Sequence, residues 1–413
     1  MPNSRYIPDR IWTQRLRTVA AIGFMVYVIS FYALNPSTQK SVFYLFVGLP
    51  GLFLLWDIRQ HIPSPGKHRS TILALIFLVY TAASCLWSSE GELTGGLKLL
   101  LSLLCLMLVV HSYQTTQPCG GIPLPKFIVI IGAGIILISL AMFAMKFQGT
   151  PTTLSLFSMR HSLGSLNGLG DRNPINSAIY LGVTALAGWW VFPGATKPFR
   201  YLSFGVIVTS VALMLMTQSR GPVGALVLIL ALLSVQRRSP GDAILCAFAI
   251  VASGLAIWQF DLLAIIANRV DAPNYRLEIW TSAVSLIRDH IFFGQGLGTS
   301  ADIPFIETSG STVVVSHSHS TFIETFRVGG LIGGGLFVAM LIQLAASRIR
   351  NRQRPSFYDY WLVFGLLCLC SNGRHPVIRP SIEWFAFWIP FFLACYLPTP
   401  DDPSTGSRRK IYL

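Results

Sequence analysis

The chain has 413 residues, of which 53% are hydrophobic and only 12% charged, with a formal net charge of +14. That charged share is roughly half that of an ordinary soluble domain, and with a mean hydropathy of +0.58 it excludes a water-soluble fold. A basic excess points to nucleic acid in a soluble protein, but in a chain this apolar the question is which loops carry it.

Apolar runs long enough to cross a hydrocarbon core, about 20 residues each, recur along nearly the whole length. In chain order they are 16–34, 41–56, 70–88, 97–113, 126–148, 174–192, 201–218, 222–236, 242–260, 318–346, 357–371 and 382–397. The expectation is an all-α integral membrane fold of about 12 transmembrane helices, with 1–413 as a single polytopic membrane domain. The first run, Leu16 to Leu34, is too long for the apolar part of a cleaved signal, and no small-x-small site follows it. It reads as a retained helix. With alternate loops assigned to the cytoplasm, 19 of the 31 Lys and Arg residues fall on one side, accompanied by six of the acids. The Lys/Arg bias of short loops then predicts that both termini are cytoplasmic. Six of the seven cysteines lie inside apolar runs, and Cys119 sits in a short loop. Neither a disulfide framework nor a zinc spacing emerges.

Two outward segments exceed a turn: Gly149 to Arg172, and the long loop 261–317 between the ninth and tenth spans. Within the second, Leu277, Trp280, Ala283, Val284 and Ile287 recur at helical spacing, which predicts an amphipathic helix roofing the outer end. Arginines stand beside outward helix starts at Arg172-Asn173-Pro174, Arg220-Gly221-Pro222 and Arg379-Pro380. Proline is favoured at the first helical position, and a helix N-terminus plus a guanidinium suits a diphosphate. The plainer alternative is helix-start grammar, with the arginines reaching lipid headgroups. Arg220 has the stronger case. It lies in Thr217-Gln218-Ser219-Arg220-Gly221, a tight break between two apolar helices where an unpaired charge at membrane depth is costly. Arg276 could either pair with Glu278 on the surface or reach over the site.

Histidine is the side chain best suited to general-base work near neutral pH. His317 and His319 stand in Ser316-His317-Ser318-His319-Ser320-Thr321, where the long loop re-enters the membrane. Either could be the base, and either could be a solvated loop histidine. Thr321 to Glu324 fits a weak capping box. No third ligand stands near the two histidines, so metal binding is disfavoured. The run Gly294-Gln295-Gly296-Leu297-Gly298 lacks the dinucleotide spacing and reads as a turn, with an anion nest as the sharper option. In Gly329-Gly330-Leu331-Ile332-Gly333-Gly334-Gly335, overlapping Gly-xxx-Gly pairs predict close helix packing.

Three of these segments resemble the O-antigen ligase and polymerase superfamily, membrane glycosyltransferases of GT-C type. They are the Ser219-Arg220-Gly221 break; Arg276 to Trp280 followed by Phe293 to Gly298; and His319-Ser320-Thr321-Phe322-Ile323-Glu324 running into Gly330-Leu331-Ile332-Gly333. The sequence departs from the family pattern at Ser320, where Asn is usual, and at Arg327, where an acid or neutral residue is common. The spacing to Phe322 and Gly330 selects His319 over His317 as the motif histidine.

The resemblance implies a GT-C-type bundle with its large periplasmic loop between the ninth and tenth spans, in a bacterial inner membrane, and an active site at the periplasmic face. The donor would be a glycan on undecaprenyl diphosphate and the acceptor a sugar hydroxyl of lipid A core, with membrane lipids around and no nucleic acid. Neither cofactor nor metal is implied. His319 would take the acceptor proton and Arg220 and Arg276 would hold the diphosphate, with Arg172, Arg288, Arg327, Arg379 and His317 as substrate-binding helpers. A polymerase or a protein O-oligosaccharyltransferase of the same superfamily stays open beside the ligase. The short C-terminal segment weighs against the protein-modifying branch. A lipid-linked glycan transporter is the rival of another class, but its ionisable residues would sit near the midplane, and here they gather at the outward ends.

Overall fold

A computed structural model describes residues 8–56, 69–116, 121–146, 161–164, 170–238, 247, 271–306 and 312–397. The helices are α1 (Pro8–Ala33), α2 (Pro36–Trp56), α3 (Arg69–Leu86), α4 (Leu93–Thr116), α5 (Leu124–Lys146) and α6 (Pro174–Val191). They continue with α7 (Lys197–Met216), α8 (Arg220–Arg237), α9 (Asp271–Asp289), α10 (Thr321–Arg350), α11 (Phe357–Leu369) and α12 (Trp384–Cys395). Among the described residues, eight helices are long and apolar enough to cross a membrane, as an integral membrane protein requires. The helices α11 and α12 are apolar but shorter. The expected span 242–260 lies outside the described residues except for Ala247.

The fold is not purely helical. Strands β1 (Ile303–Ile306) and β2 (Thr312–Val315) pair antiparallel, with Ile303 opposite Val315. The loop expected to carry only an amphipathic helix therefore also holds a hairpin. Its β-branched residues were hidden from a reading tuned to helical periods.

Helix α6 is the axis of the bundle: every residue from Ser177 to Trp189 is buried. A helix apolar all round belongs inside other helices rather than against lipid. Beside it, Phe385 of α12 meets Phe31, Tyr32, Tyr180 and Trp361 at ring distances of 5.0 to 5.8 Å, in tilted or edge-on geometry. Small residues admit close crossings: a Cβ at Gly23 would lie 2.0 Å from the Phe46 carbonyl oxygen, and one at Gly51 would lie 2.5 Å from Cys105 Cβ.

One end of the bundle is tied by cations to helix C-termini. Arg237 donates to the carbonyls of Trp189 and Trp190 at 3.1 and 2.9 Å, closing the last turn of α6. Arg348 pairs with Asp359 at 3.1 Å and donates to the Ala394 carbonyl at 2.6 Å. At the opposite end lie α9, the hairpin, the start of α10 and the loop 370–383. There Ile279, Ala283, Ala301 and Ile303 form a small core of their own, flanked by Trp280, Val315 and Ile323. Helix α9 is amphipathic as its spacing predicts, but Leu277 and Val284 are exposed, and Ile279 and Ala283 form the buried stripe. The helix carries two apolar stripes, and the hairpin covers only one of them.

Candidate functional site

The two histidines sit on a turn that three elements clamp. Ser318, between them, is fully buried. Its N–H donates to Glu324 Oε1 at 2.6 Å, and its carbonyl accepts from the Trp280 indole at 3.0 Å. Ser320 caps α10 by accepting from the Ile323 N–H, so the cap is Ser320 rather than the expected Thr321. Glu324 reaches back past the cap to Ser318 instead of closing a capping box. Residue His319 adopts a left-handed backbone (φ 54°), which turns its ring to the same side as that of His317, with the ring centroids 4.1 Å apart. Both rings are half-buried.

Below the turn, Glu324 and Arg327 form an ion pair at 2.8 Å, with side chains only 2% and 3% exposed. Arg327 also donates to Gln295 Oε1 at 2.7 Å and to the Thr299 carbonyl at 3.1 Å. The guanidinium, expected as a substrate-binding helper, is thus bonded to protein partners on both sides. The departure from the family pattern at Arg327 is matched by Gln295 and Thr299, which complete its bonding.

The glycine run is a turn, and its purpose is steric. Helix α10 breaks at Gly330 (φ 60°, ψ −160°), and residues 291–296 fill the break with backbone hydrogen bonds. Gln295 and Gly296 donate to the carbonyls of Arg327 and Val328, while Leu331 and Ile332 donate to those of Ile291 and Phe292. A Cβ on Gly294 or Gly330 would lie 2.3 Å from an opposing carbonyl oxygen, of Val328 or Phe292. The glycine-rich stretch of α10 therefore serves at Gly330 to interrupt the helix, beyond the helix packing expected of it. The turn is fixed to α3 as well, through Leu297 N–H to Ser84 Oγ at 2.9 Å.

Positive charge converges on the histidines. Arg276 lies one helical turn before Trp280 on α9, and its charge acts on His319. Among the described residues no ion pair joins Arg276 to Glu278. Arg374, which was not singled out in the sequence, acts on both histidines. Its backbone N–H donates to Glu383 Oε1 at 3.0 Å, and its carbonyl accepts from Thr321 Oγ1 at 2.8 Å. A Cβ at Gly373 would lie 1.9 Å from Thr321 Oγ1, so this loop presses directly on the start of α10. That glycine-arginine pair was the available signal; the Arg-Pro pattern singles out Arg379 instead. Burial pushes His317 down to about 4, helped by the charges of His319 and Arg374. Burial also lowers His319, followed by Arg276 and Arg374, with Glu324 acting in the opposite direction. At neutral pH both imidazoles are neutral, with a lone pair available.

Arg220 opens α8 after the expected break, where Gln218 is left-handed (φ 52°). A Cβ at the neighbouring Gly221 would lie 3.3 Å from Ser371 Oγ, which sets this helix start beside the 370–374 loop. Arg172, Arg288 and Arg379 are exposed. At the start of α6 the donors are already used: Asp171 accepts from Asn173 N–H at 2.8 Å and Asn173 Oδ1 from Ile175 N–H at 2.9 Å. Pro380 precedes the first helical residue of the last span, Ile382, so it is not the N1 proline that its sequence suggests. Among the described residues no group of three His, Cys, Asp or Glu side chains is placed to hold a metal ion.

Residues 205–338, from α7 through the kink of α10, match the family model described as O-antigen ligase. That stretch is similar to an O-antigen ligase domain. The chain is also 25% identical over 369 residues to the O-antigen ligase of Pseudomonas aeruginosa, a match covering 88% of this chain and 86% of that one. The matched domain contains Arg220, Arg276, the glycine turn and the His317–His319 turn, whereas Arg374 lies beyond it. These two similarities support a glycosyl-transfer enzyme of the ligase or polymerase type.

Proposed function

We propose that this protein is an O-antigen ligase that transfers glycan from undecaprenyl diphosphate to a sugar hydroxyl of lipid A core at the periplasmic face of the inner membrane. The observation that carries the reading is the clamped turn: a neutral, half-buried His319 held by Trp280 and Glu324 under the charges of Arg276 and Arg374. His319 removes the acceptor proton as the hydroxyl oxygen attacks the anomeric carbon. The bond from that carbon to the phosphate oxygen breaks, and undecaprenyl diphosphate leaves with its electron pair. Configuration inverts in this single displacement. Arg276, Arg374 and Arg220 stabilise the charge that grows on the diphosphate, each offering a planar fork of donors to phosphate oxygens. The arriving diphosphate also offsets the cationic field that lowers His319, so the imidazole becomes more basic once donor is bound.

The test is reconstitution with polyprenyl-diphosphate glycan and either lipid A core or a second glycan lipid. The ligase reading expects transfer to lipid A core, lost in His319→Ala and strongly reduced in Arg220→Lys, which keeps the charge but not the fork. Transfer only to the second glycan lipid would make the protein a polymerase. Normal transfer by folded His319→Ala would remove the base assignment.

A further inference from the structure

On the far side of the Glu324–Arg327 pair from the histidines lies a cleft of about 560 Å³, lined by Trp87, Ser89, His290, Phe293, Gln295 and Thr299 among others. Its volume falls within the range of small-molecule sites, about 300–1,000 Å³. Two aromatic rings face it, with Trp87 40% and Phe293 58% exposed and their centroids 6.1 Å apart in edge-on contact.

The polar lining is as specific. Arg327 can only donate, so the Gln295 atom it holds at 2.7 Å is the carbonyl oxygen. The Gln295 NH₂ group is left as a donor for the cleft. Ser89 and His290 add a hydroxyl and an imidazole, while the Thr299 hydroxyl is taken up by the Gln295 carbonyl at 2.9 Å and by Ser88 Oγ at 2.7 Å. Among the described residues no Lys, Arg, Asp or Glu lines the cleft, in contrast to the arginine-flanked histidines. An uncharged wall of aromatic faces, amide and hydroxyl suits a neutral hydroxylated ring and offers nothing to a diphosphate. The neighbours in sequence are bare apolar side chains, Leu86 at 69% and Phe292 at 61% exposed, of the kind that sit at the lipid interface. A ligand here would be a sugar held at the level of the membrane surface, as in a glycolipid.

We propose that this cleft is an ancillary sugar subsite that binds a neutral residue of the acceptor glycolipid, remote from the hydroxyl that reacts. The assignment rests on the ligase reading above. Gln295 joins the cleft to the reaction centre through Arg327, Glu324 and Ser318, so the wall that holds this sugar is braced against the wall that holds His319. The subsite sets acceptor affinity and leaves the chemical step alone.

The experiment uses the full chain in nanodiscs, with delipidated lipid A core oligosaccharide as the binding probe and intact lipid A core as the acceptor. The oligosaccharide is expected to quench tryptophan fluorescence, with the change absent from Trp87→Ala. Trp87→Ala and His290→Ala should each raise the acceptor KM about tenfold while leaving kcat and the donor KM unchanged. Trp87→Tyr, which keeps a stacking face, should recover most of the loss. Unchanged acceptor KM in folded His290→Ala and Trp87→Ala, or a fall confined to kcat, overturns the subsite while the ligase reading stands. If wild type transfers no glycan to lipid A core, the ligase reading fails, and Trp87-dependent quenching by the oligosaccharide then reports on the cleft independently.

Discussion

Removing one member of the Glu324–Arg327 pair should be among the most damaging substitutions in the protein. The two charges lie 2.8 Å apart with 2% and 3% exposure, so neither can turn to water when its partner is lost. Breaking such a pair costs about 3–5 kcal/mol, because it strands a buried charge. Arg327→Met leaves Glu324 with Ser318 as its partner, and Glu324→Gln leaves Arg327 with Gln295 and Thr299. The double variant strands no charge. It loses the bonds to Gln295 and Thr299, each worth roughly 0.5–1.5 kcal/mol, and should cost no more than either single. The coupling is therefore on the order of 3 kcal/mol. Unfolding of the detergent-solubilised protein in SDS, followed by tryptophan fluorescence, measures all three. Single costs below about 1 kcal/mol, or costs that simply add in the double, would refute the placement of this pair as a buried brace. Transfer activity adds a second readout: the singles should lose kcat, since Glu324 holds the turn that carries His319.

Three further outcomes are expected. Gly330→Ala and Gly294→Ala each force a Cβ to 2.3 Å from a carbonyl oxygen at positive φ and should destabilise by about 2 kcal/mol or more. Gly335→Ala, with open space around it, should be neutral in the same SDS unfolding assay. Arg276→Gln and Arg374→Gln each remove a positive charge that disfavours the protonated imidazole, so the His319 pKa rises toward its ordinary value. With His319 as the proposed base, which must be neutral to take a proton, the acid limb of the kcat/KM profile should move to higher pH, and an unmoved limb in both variants would break the link between those arginines and His319. Trp280→Phe keeps the ring but loses the 3.0 Å bond to the Ser318 carbonyl. It should cost about 1 kcal/mol of stability and lower kcat with little change in donor KM.

Hydrophobic runs and charge bias were enough to read a helical membrane protein, because the bilayer admits few other solutions for an apolar backbone. The sequence also carried the break before Arg220, the pairing of Arg276 with Trp280 on one helical face and the histidine turn, since each is local and set within a few residues. Other features depended on segments far apart in the chain. Gly294 and Gly330 are explained only by each other, because residues 291–296 fill the break in α10. Arg327 reads in sequence as a substrate-binding helper, but Glu324, Gln295 and Thr299 close around it, and Arg374 drew no attention beside Arg379 until Thr321 tied their loop to the start of α10. The hairpin decided which stripe of α9 was buried. Periodicity and charge are properties of one segment and can be read along it, whereas desolvation and hydrogen-bond saturation depend on what else arrives, and those decided that Arg237, Arg327 and Arg348 are bonded into the fold.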